Sequence, residues 1–150
     1  HALRPILEEA VIGGADNAVQ AGQTFTLTCP ATLGARCNPE ALRTMVANLV
    51  SNAVNYTPSG GSIAVTATES ADEVVVSIID DGIGIGPVHQ QRIFERFYRV
   101  DDARSRALGG TGLGLALVKH LALASRSRIS VESTEGKGSR FRIHLRRARS

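Results

Sequence analysis

The sequence predicts an α+β fold, on three observations. Apolar residues recur at helical spacing over 3–19 and again over 39–56. Between and after these stretches, short runs alternate polar and apolar residues, and 62–69 and 73–79 are close enough in sequence to pair as antiparallel neighbours. Two glycine-rich strings punctuate the pattern. One closes a strand at Asp80-Asp81-Gly82-Ile83-Gly84-Ile85-Gly86, and the other opens a helix at Gly109-Gly110-Thr111-Gly112-Leu113-Gly114-Leu115.

Leu3, Ile6, Leu7, Ala10 and Val11 form the stripe of the first helix, which Gly13-Gly14 is expected to end or loosen. Thr24-Phe25-Thr26-Leu27-Thr28 reads as a half-buried strand. Asn38-Pro39 supplies an N-cap and a first-turn proline, so a helix is expected from Pro39 to about Tyr56. It would bury Leu42, Met45, Val46, Leu49, Val50 and Ala53. Thr57-Pro58-Ser59-Gly60-Gly61 is a turn, and the two alternating strands follow it. A short helix is expected over 90–98, with Ile93, Phe94 and Phe97 on one side, and 99–107 reads as a mobile loop. The helix after the second glycine string would run to about Ala124, burying Leu113, Leu117 and Leu121. Strands at 129–133 and 141–145 flank the turn Glu135-Gly136-Lys137-Gly138, and 146–150 reads as a frayed tail.

At 150 residues the chain fits one domain, 1–150, able to bury roughly two-thirds of its unfolded surface. No apolar run approaches membrane-spanning length, and no secretory signal opens the chain. It begins His1-Ala2-Leu3-Arg4 without Met, which reads as a piece of something longer. Cys29 and Cys37 lack metal-ligand spacing, so a reduced intracellular pair is expected. The net charge of +3 is uneven, with arginines gathered over 92–106 and from Arg126 onward. Clustered arginine can mean nucleic acid, but four Phe and two Tyr leave few side chains to stack on bases, so nucleic acid is the lesser reading.

Three features carry chemistry. Asn48, Asn52 and Asn55 share one face of their helix, at i, i+4 and i+7. Asparagine is a poor helix former, and a solvated face more often carries Lys, Glu or Arg. Amide oxygens suit a hard cation such as Mg²⁺, and amide NH₂ groups can donate to phosphate. Asp80 ends a β-branched run and enters a backbone bare enough for a planar ligand, although a plain turn would also explain the glycines. The second glycine string opens a helix, a favourable place for an anion, with a structural turn as the alternative. Together they describe a nucleotide pocket. A carboxylate only accepts hydrogen bonds, so Asp80 would favour the adenine amino group over the guanine carbonyl.

Four stretches in order, Asn48-Leu49-Val50-Ser51-Asn52-Ala53, Asp80-Asp81-Gly82-Ile83-Gly84-Ile85, Phe94-Glu95-Arg96-Phe97-Tyr98-Arg99 and Gly110-Thr111-Gly112-Leu113-Gly114-Leu115, resemble the N, G1, F and G2 boxes of the catalytic ATP-binding domain of sensor histidine kinases. That domain belongs to the GHKL group with gyrase, Hsp90 and MutL. The resemblance implies a two-layer α/β sandwich of the Bergerat type, with a mixed, mostly antiparallel sheet of about five strands and three main helices. By the same resemblance Asn52 coordinates Mg²⁺ with Asn48 beside it, Asp80 binds adenine, Gly82, Gly84 and Ile85 shape the base site, and Tyr56 walls it. Arg99 would reach the γ-phosphate, and Gly110, Thr111, Gly112, Leu113 and Gly114 would line the phosphate end.

Two departures stand out. Relatives usually carry Lys or Arg where this chain has Asn55, and Arg96, Arg104 or Arg106 would have to compensate. They also tend to have His-Gly-Gly where this chain has Ser125-Arg126-Ser127, so the helix is expected to run longer or the strand to start later. ATP-hydrolysing members carry Glu at position 48 to activate water; Asn48 cannot, which favours transfer to a nucleophile with its own lone pair. None of His1, His89, His120 and His144 makes a convincing acceptor. The implied partners are a separate dimerisation domain bearing the phosphoacceptor histidine and a response-regulator receiver domain. The parent would be a homodimeric sensor with this part in the cytoplasm, and the piece alone a monomer. The rivals are a non-catalytic ATP-binding module and a GHKL-type ATPase clamp.

Overall fold

The structure, a computed structural model, describes residues 1–90, 92–95 and 114–148. Helix α1 (Leu3–Gln20) leads to strand β1 (Thr24–Thr28) and the two-residue strand β2 (Ala35–Arg36). Helix α2 (Pro39–Tyr56) is followed by β3 (Ser62–Glu69), β4 (Glu73–Asp80) and the single turn α3 (Pro87–Gln90). Helix α4 (Gly114–Ala124) precedes the hairpin of β5 (Arg128–Thr134) and β6 (Gly138–Arg147).

The strands form one mixed sheet in the order β1-β3-β4-β6-β2, with β5 also paired to β6. Among the described residues only β1 and β3 run parallel; the other pairings are antiparallel. Alternation decides which face is covered. Ile63, Val65 and Ala67 of β3, Val74, Val76 and Ile78 of β4, and Phe141, Ile143 and Leu145 of β6 are buried in one cluster with residues of α1, α2 and α4. The alternate residues, including Thr66, Val75, Ser77, Ile79, Arg140, Arg142 and His144, line an open groove on the other face. The two-layer sandwich is as expected. The sixth strand, β2, was not foreseen, because two residues carry no periodicity.

α2 is the middle helix, packed between α1 and α4 and over β4. It begins as its sequence dictates: the Asn38 side chain accepts from Ala41 N at 3.0 Å, and Pro39 opens the first turn. All six apolar residues expected to be buried are buried.

Several expectations are corrected. α1 runs straight through Gly13-Gly14 and ends at Gln20. The reason is packing: a Cβ on Gly14 would strike Val50 Cγ1, so the bare backbone lets α1 lie close on α2. In α4 Val118 and Ala122 are fully buried and Leu121 packs partly buried against the core, while Leu117 is exposed and Leu113 lies outside the described residues. A helix so largely apolar offers no single stripe to read. A turn of helix at Pro87–Gln90 ends where the stretch expected to be helical, 90–98, begins; of that stretch 92–95 is turn and bend rather than helix, and 91 and 96–98, Phe97 included, lie outside the described residues. Phe94 then packs edge-on against Phe141, with ring centroids 6.2 Å apart, under Lys119 Nζ. The expected tail is strand as far as Arg147, held by Arg147–Glu69 and by pairing with β2.

The turn at Ser125-Arg126-Ser127 survives without glycine. α4 ends at Ala124, Arg126 takes a left-handed φ of 59°, and Ser127 N returns to Ala122 O at 2.8 Å. This is a Schellman closure with arginine in the position usually held by glycine. α1 ends in the same way with Gly22 at φ 75°. The helix therefore does not lengthen, and β5 starts one residue earlier than expected, at Arg128.

Candidate functional site

The C-terminal half of α2, the turn after β4, the β5–β6 hairpin and the first residue of α4 meet at one end of the sheet. Asn48, Asn52, Asn55 and Tyr56 are all half-buried on α2. Asn48 donates through Nδ2 to Thr44 O at 2.8 Å, one turn back along its own helix. That bond turns Oδ1 outward, 3.3 Å from where a Cβ on Gly114 would stand. An amide oxygen is thereby presented at the N-terminus of α4.

The glycine turn is clamped from both sides. Ile83 N donates to Tyr56 O at 3.2 Å, which ties the turn to the end of α2. On the other side Gly136 N donates to Ile83 O at 2.7 Å, and Ile85 N to Ser133 Oγ at 2.8 Å. The bareness of the turn is required by these contacts. A Cβ on Gly82 would collide with Tyr56 O and come within 3.0 Å of Thr57 Oγ1; one on Gly84, where φ is 71°, would collide with Thr134 O.

The two acids divide their work. Asp81 accepts from Ser62 N at 2.7 Å and Ser62 Oγ at 3.1 Å, pinning the start of β3. Asp80 turns the other way and accepts from Gly82 N at 2.9 Å and from the Ser139 backbone N–H. Burial pushes the Asp80 carboxyl above its usual range, against the downward pull of those two amides. A desolvated acid at a strand end can read a hydrogen-bond donor on a ligand.

The sequence reading missed four supports. Ser133 and Ser139 stand opposite each other, with hydroxyls 2.8 Å apart, and link the hairpin to Ile85 and Asp80. A signal existed: both interrupt the inward apolar positions of their strands. Gln90 Nε2 bridges Ile85 O and Ser133 O at 2.8 and 3.0 Å. Gln23 Nε2 donates to Val54 O at 2.9 Å and to Thr57 O, closing the C-terminus of α2 from the start of β1. No local pattern announces either glutamine.

Arg96, Arg99, Gly110, Thr111, Gly112 and Leu113 lie outside the described residues, as do the expected loop over 99–107, Arg104 and Arg106. The donors that are described suit a magnesium nucleotide. Thr57 Oγ1 is buried against the turn without a partner among the described residues, and Asn48 offers an oxygen at the helix N-terminus. No group of three His, Cys, Asp or Glu gathers among the described residues, and an amide oxygen such as that of Asn48 is a suitable donor for a hard cation. Cys29 and Cys37 are free thiols. No helix among the described residues is long and apolar enough to cross a membrane.

A family model described as histidine kinase-, DNA gyrase B- and HSP90-like ATPase matches residues 37–149. The chain is 46% identical over 108 residues to the sensor histidine kinase RppB of Synechocystis sp., across 72% of this chain and 24% of that protein. It is 38% identical over 147 residues to the phosphate regulon sensor protein PhoR of Pseudomonas aeruginosa, across 95% of this chain and 33% of that protein. The chain thus spans a third or less of the length of these relatives. Among solved structures it is similar to full-length ShkA in complex with AMPPNP, with a TM-score of 0.85 and 25% identity over all of this chain and 31% of that one.

Proposed function

The chain belongs to the family of histidine kinase-, DNA gyrase B- and HSP90-like ATPases, and from that membership we propose that it is the catalytic ATP-binding domain, 1–150, of a sensor histidine kinase. Its substrate is ATP, and the γ-phosphoryl group passes to a histidine on a separate dimerisation domain. A response-regulator receiver domain then accepts it from that histidine. The parent is a homodimer with this part in the cytoplasm. The sensor histidine kinases RppB and PhoR and the nucleotide complex of ShkA support this reading.

The observation that carries it is the state of Asn48. Its NH₂ is engaged by Thr44 O and its oxygen faces Gly114, so the residue is set to hold a cation and has no basicity to activate water. Asn52 shares that metal, one turn further along α2. Magnesium, when bound, neutralises charge on the phosphoryl oxygens. Asp80 accepts from the adenine amino group and repels the guanine carbonyl; Tyr56 and Ile85 wall the base. Asn55, Arg96 and the string from Gly110 to Gly114 attend the phosphates, and Arg99 meets the γ-phosphate. A neutral imidazole on the partner needs no base from this chain, so intrinsic hydrolysis is slow.

Incubation with γ-labelled ATP and a dimerisation domain bearing the acceptor histidine tests the reading. Acid-labile, base-stable label on the partner is expected, and its loss in Asn52→Asp. Magnesium-dependent ATP binding without transfer would make the chain a non-catalytic module instead.

A further inference from the structure

The open face of the sheet is strongly basic for reasons that neither the fold nor the nucleotide site requires. Arg140, Arg142, His144 and Arg146 follow one another at alternate positions of β6, all on the face away from the helices. Arg128 stands beside His144 on β5, and Arg36 stands directly across from Arg146 on β2. Five arginines thus face two glutamates, Glu73 and Glu132. Glu132 is taken by Arg142, and Glu73 by His144 and Arg128. Arg36, Arg140 and Arg146 have no ion-pair partner among the described residues. Like charges directly across a ladder oppose pairing, so the Arg36–Arg146 juxtaposition is carried at a cost to the sheet.

We propose that this face is a docking surface for an extended acidic segment of a protein partner. Charge complementarity identifies the occupant. Alternate side chains on β6 recur about every 7 Å, which is the spacing of carboxylates at alternate positions of an extended segment laid along it. Guanidinium groups pair with carboxylates in a two-pronged geometry. The floor between them consists of Thr66, Thr68, Val75, Ser77 and Ile79, which accommodates hydroxyl and small apolar side chains. The one ring among the groove's described lining residues, the His144 imidazole, is held by Ser130 and Glu73, and no Phe, Tyr or Trp among them offers a stacking platform, which disfavours single-stranded nucleic acid. The face lies on the reverse of the layer that holds α2, so an occupant leaves the nucleotide site free.

The test uses the 150-residue chain with a fluorescein-labelled peptide of alternating glutamate and threonine, and an oligothymidylate as the competing polyanion. Backbone amide shifts caused by the peptide are expected on β3, β4, β5 and β6 at the open face and to persist with ADP bound. The double substitution Arg140→Glu and Arg146→Glu is expected to weaken the peptide about tenfold or more, as reversal of interface charge does. The control Arg4→Glu, with the same charge change for one residue on α1, is expected to weaken it less than about twofold. Unchanged ADP binding verifies that the variants are folded; if the double charge reversal unfolds the sheet, Arg140→Gln with Arg146→Gln takes its place. The proposal is overturned if the peptide does not bind, if Arg4→Glu weakens it as much as the double variant does, or if the oligothymidylate binds the same face more tightly.

Discussion

Ser139 stands directly opposite Asp80 in the β4–β6 ladder, and its backbone N–H donates to the Asp80 carboxylate while Gly82 N donates at 2.9 Å from the turn. Burial still outweighs the two amides, so the carboxyl is held above its usual range. An acid whose pKa is raised on folding contributes stability that is complete below its unfolded pKa of about 3.9 and is lost as pH rises through the folded value. At neutral pH the ionised Asp80 is therefore a burden on the fold. Asp80→Asn is expected to be at least as stable as the parent in urea at pH 7, with the gap closing in acid. Calorimetry should at the same time find ATP binding weaker by about tenfold or more and the preference for adenine over guanine narrowed.

Gly13 and Gly14 are adjacent in α1 and answer oppositely to the same change. Nothing lies within 4 Å of a Cβ on Gly13, so Gly13→Ala should stabilise by about 0.5–1 kcal/mol through helix propensity alone. A Cβ on Gly14 meets Val50, a stiff and fully buried side chain. Overpacking there costs about 1–3 kcal/mol, which exceeds the propensity gain. Thermal midpoints of the two variants should move in opposite directions.

Arg126 occupies a left-handed conformation that costs a non-glycine residue roughly 1–2 kcal/mol. Its Schellman hydrogen bonds are made by the backbone and need no side chain. Arg126→Gly should accordingly raise stability by about 1 kcal/mol in a urea titration, less than the full strain because glycine also loosens the unfolded chain. An unchanged midpoint would mean that the arginine side chain contributes as much as the strain removes.

Gln23 is buried and supplies the donor for two carbonyls at the end of α2, Val54 O and Thr57 O. Gln23→Met keeps the volume and removes the donor. Leaving buried carbonyls unmet costs about 1–3 kcal/mol. The loss should appear as a lowered urea midpoint and, because Tyr56 and Thr57 hang from that helix end, as weaker nucleotide binding measured at a temperature where the variant is fully folded.

Much of this protein is legible without coordinates. The Asn38 cap, the six-residue stripe of α2, the alternation of β3 and β6 and the β-branched run of β4 are local patterns, and each matches the structure. The asparagine face and the Asp80 turn are equally visible, because they depart from what a plain helix or turn would carry. Where the local signal is symmetric or absent, reading the sequence fails. A largely apolar α4 offers no single stripe, a two-residue β2 has no period, and paired glycines look the same whether they break a helix or let it pack.

The amino-acid order by itself determined the element types, the class of the fold and which side chains have ligand chemistry, because backbone periodicity and side-chain functional groups are properties of short segments. Only the tertiary structure decided that Asp80 rather than Asp81 turns inward, that Asn48 presents its oxygen, and that Ser133, Ser139, Gln90 and Gln23 brace the site. Those outcomes depend on hydrogen-bond partners dozens of residues away, brought within reach only when the sheet closes its ladder and α2 docks across it.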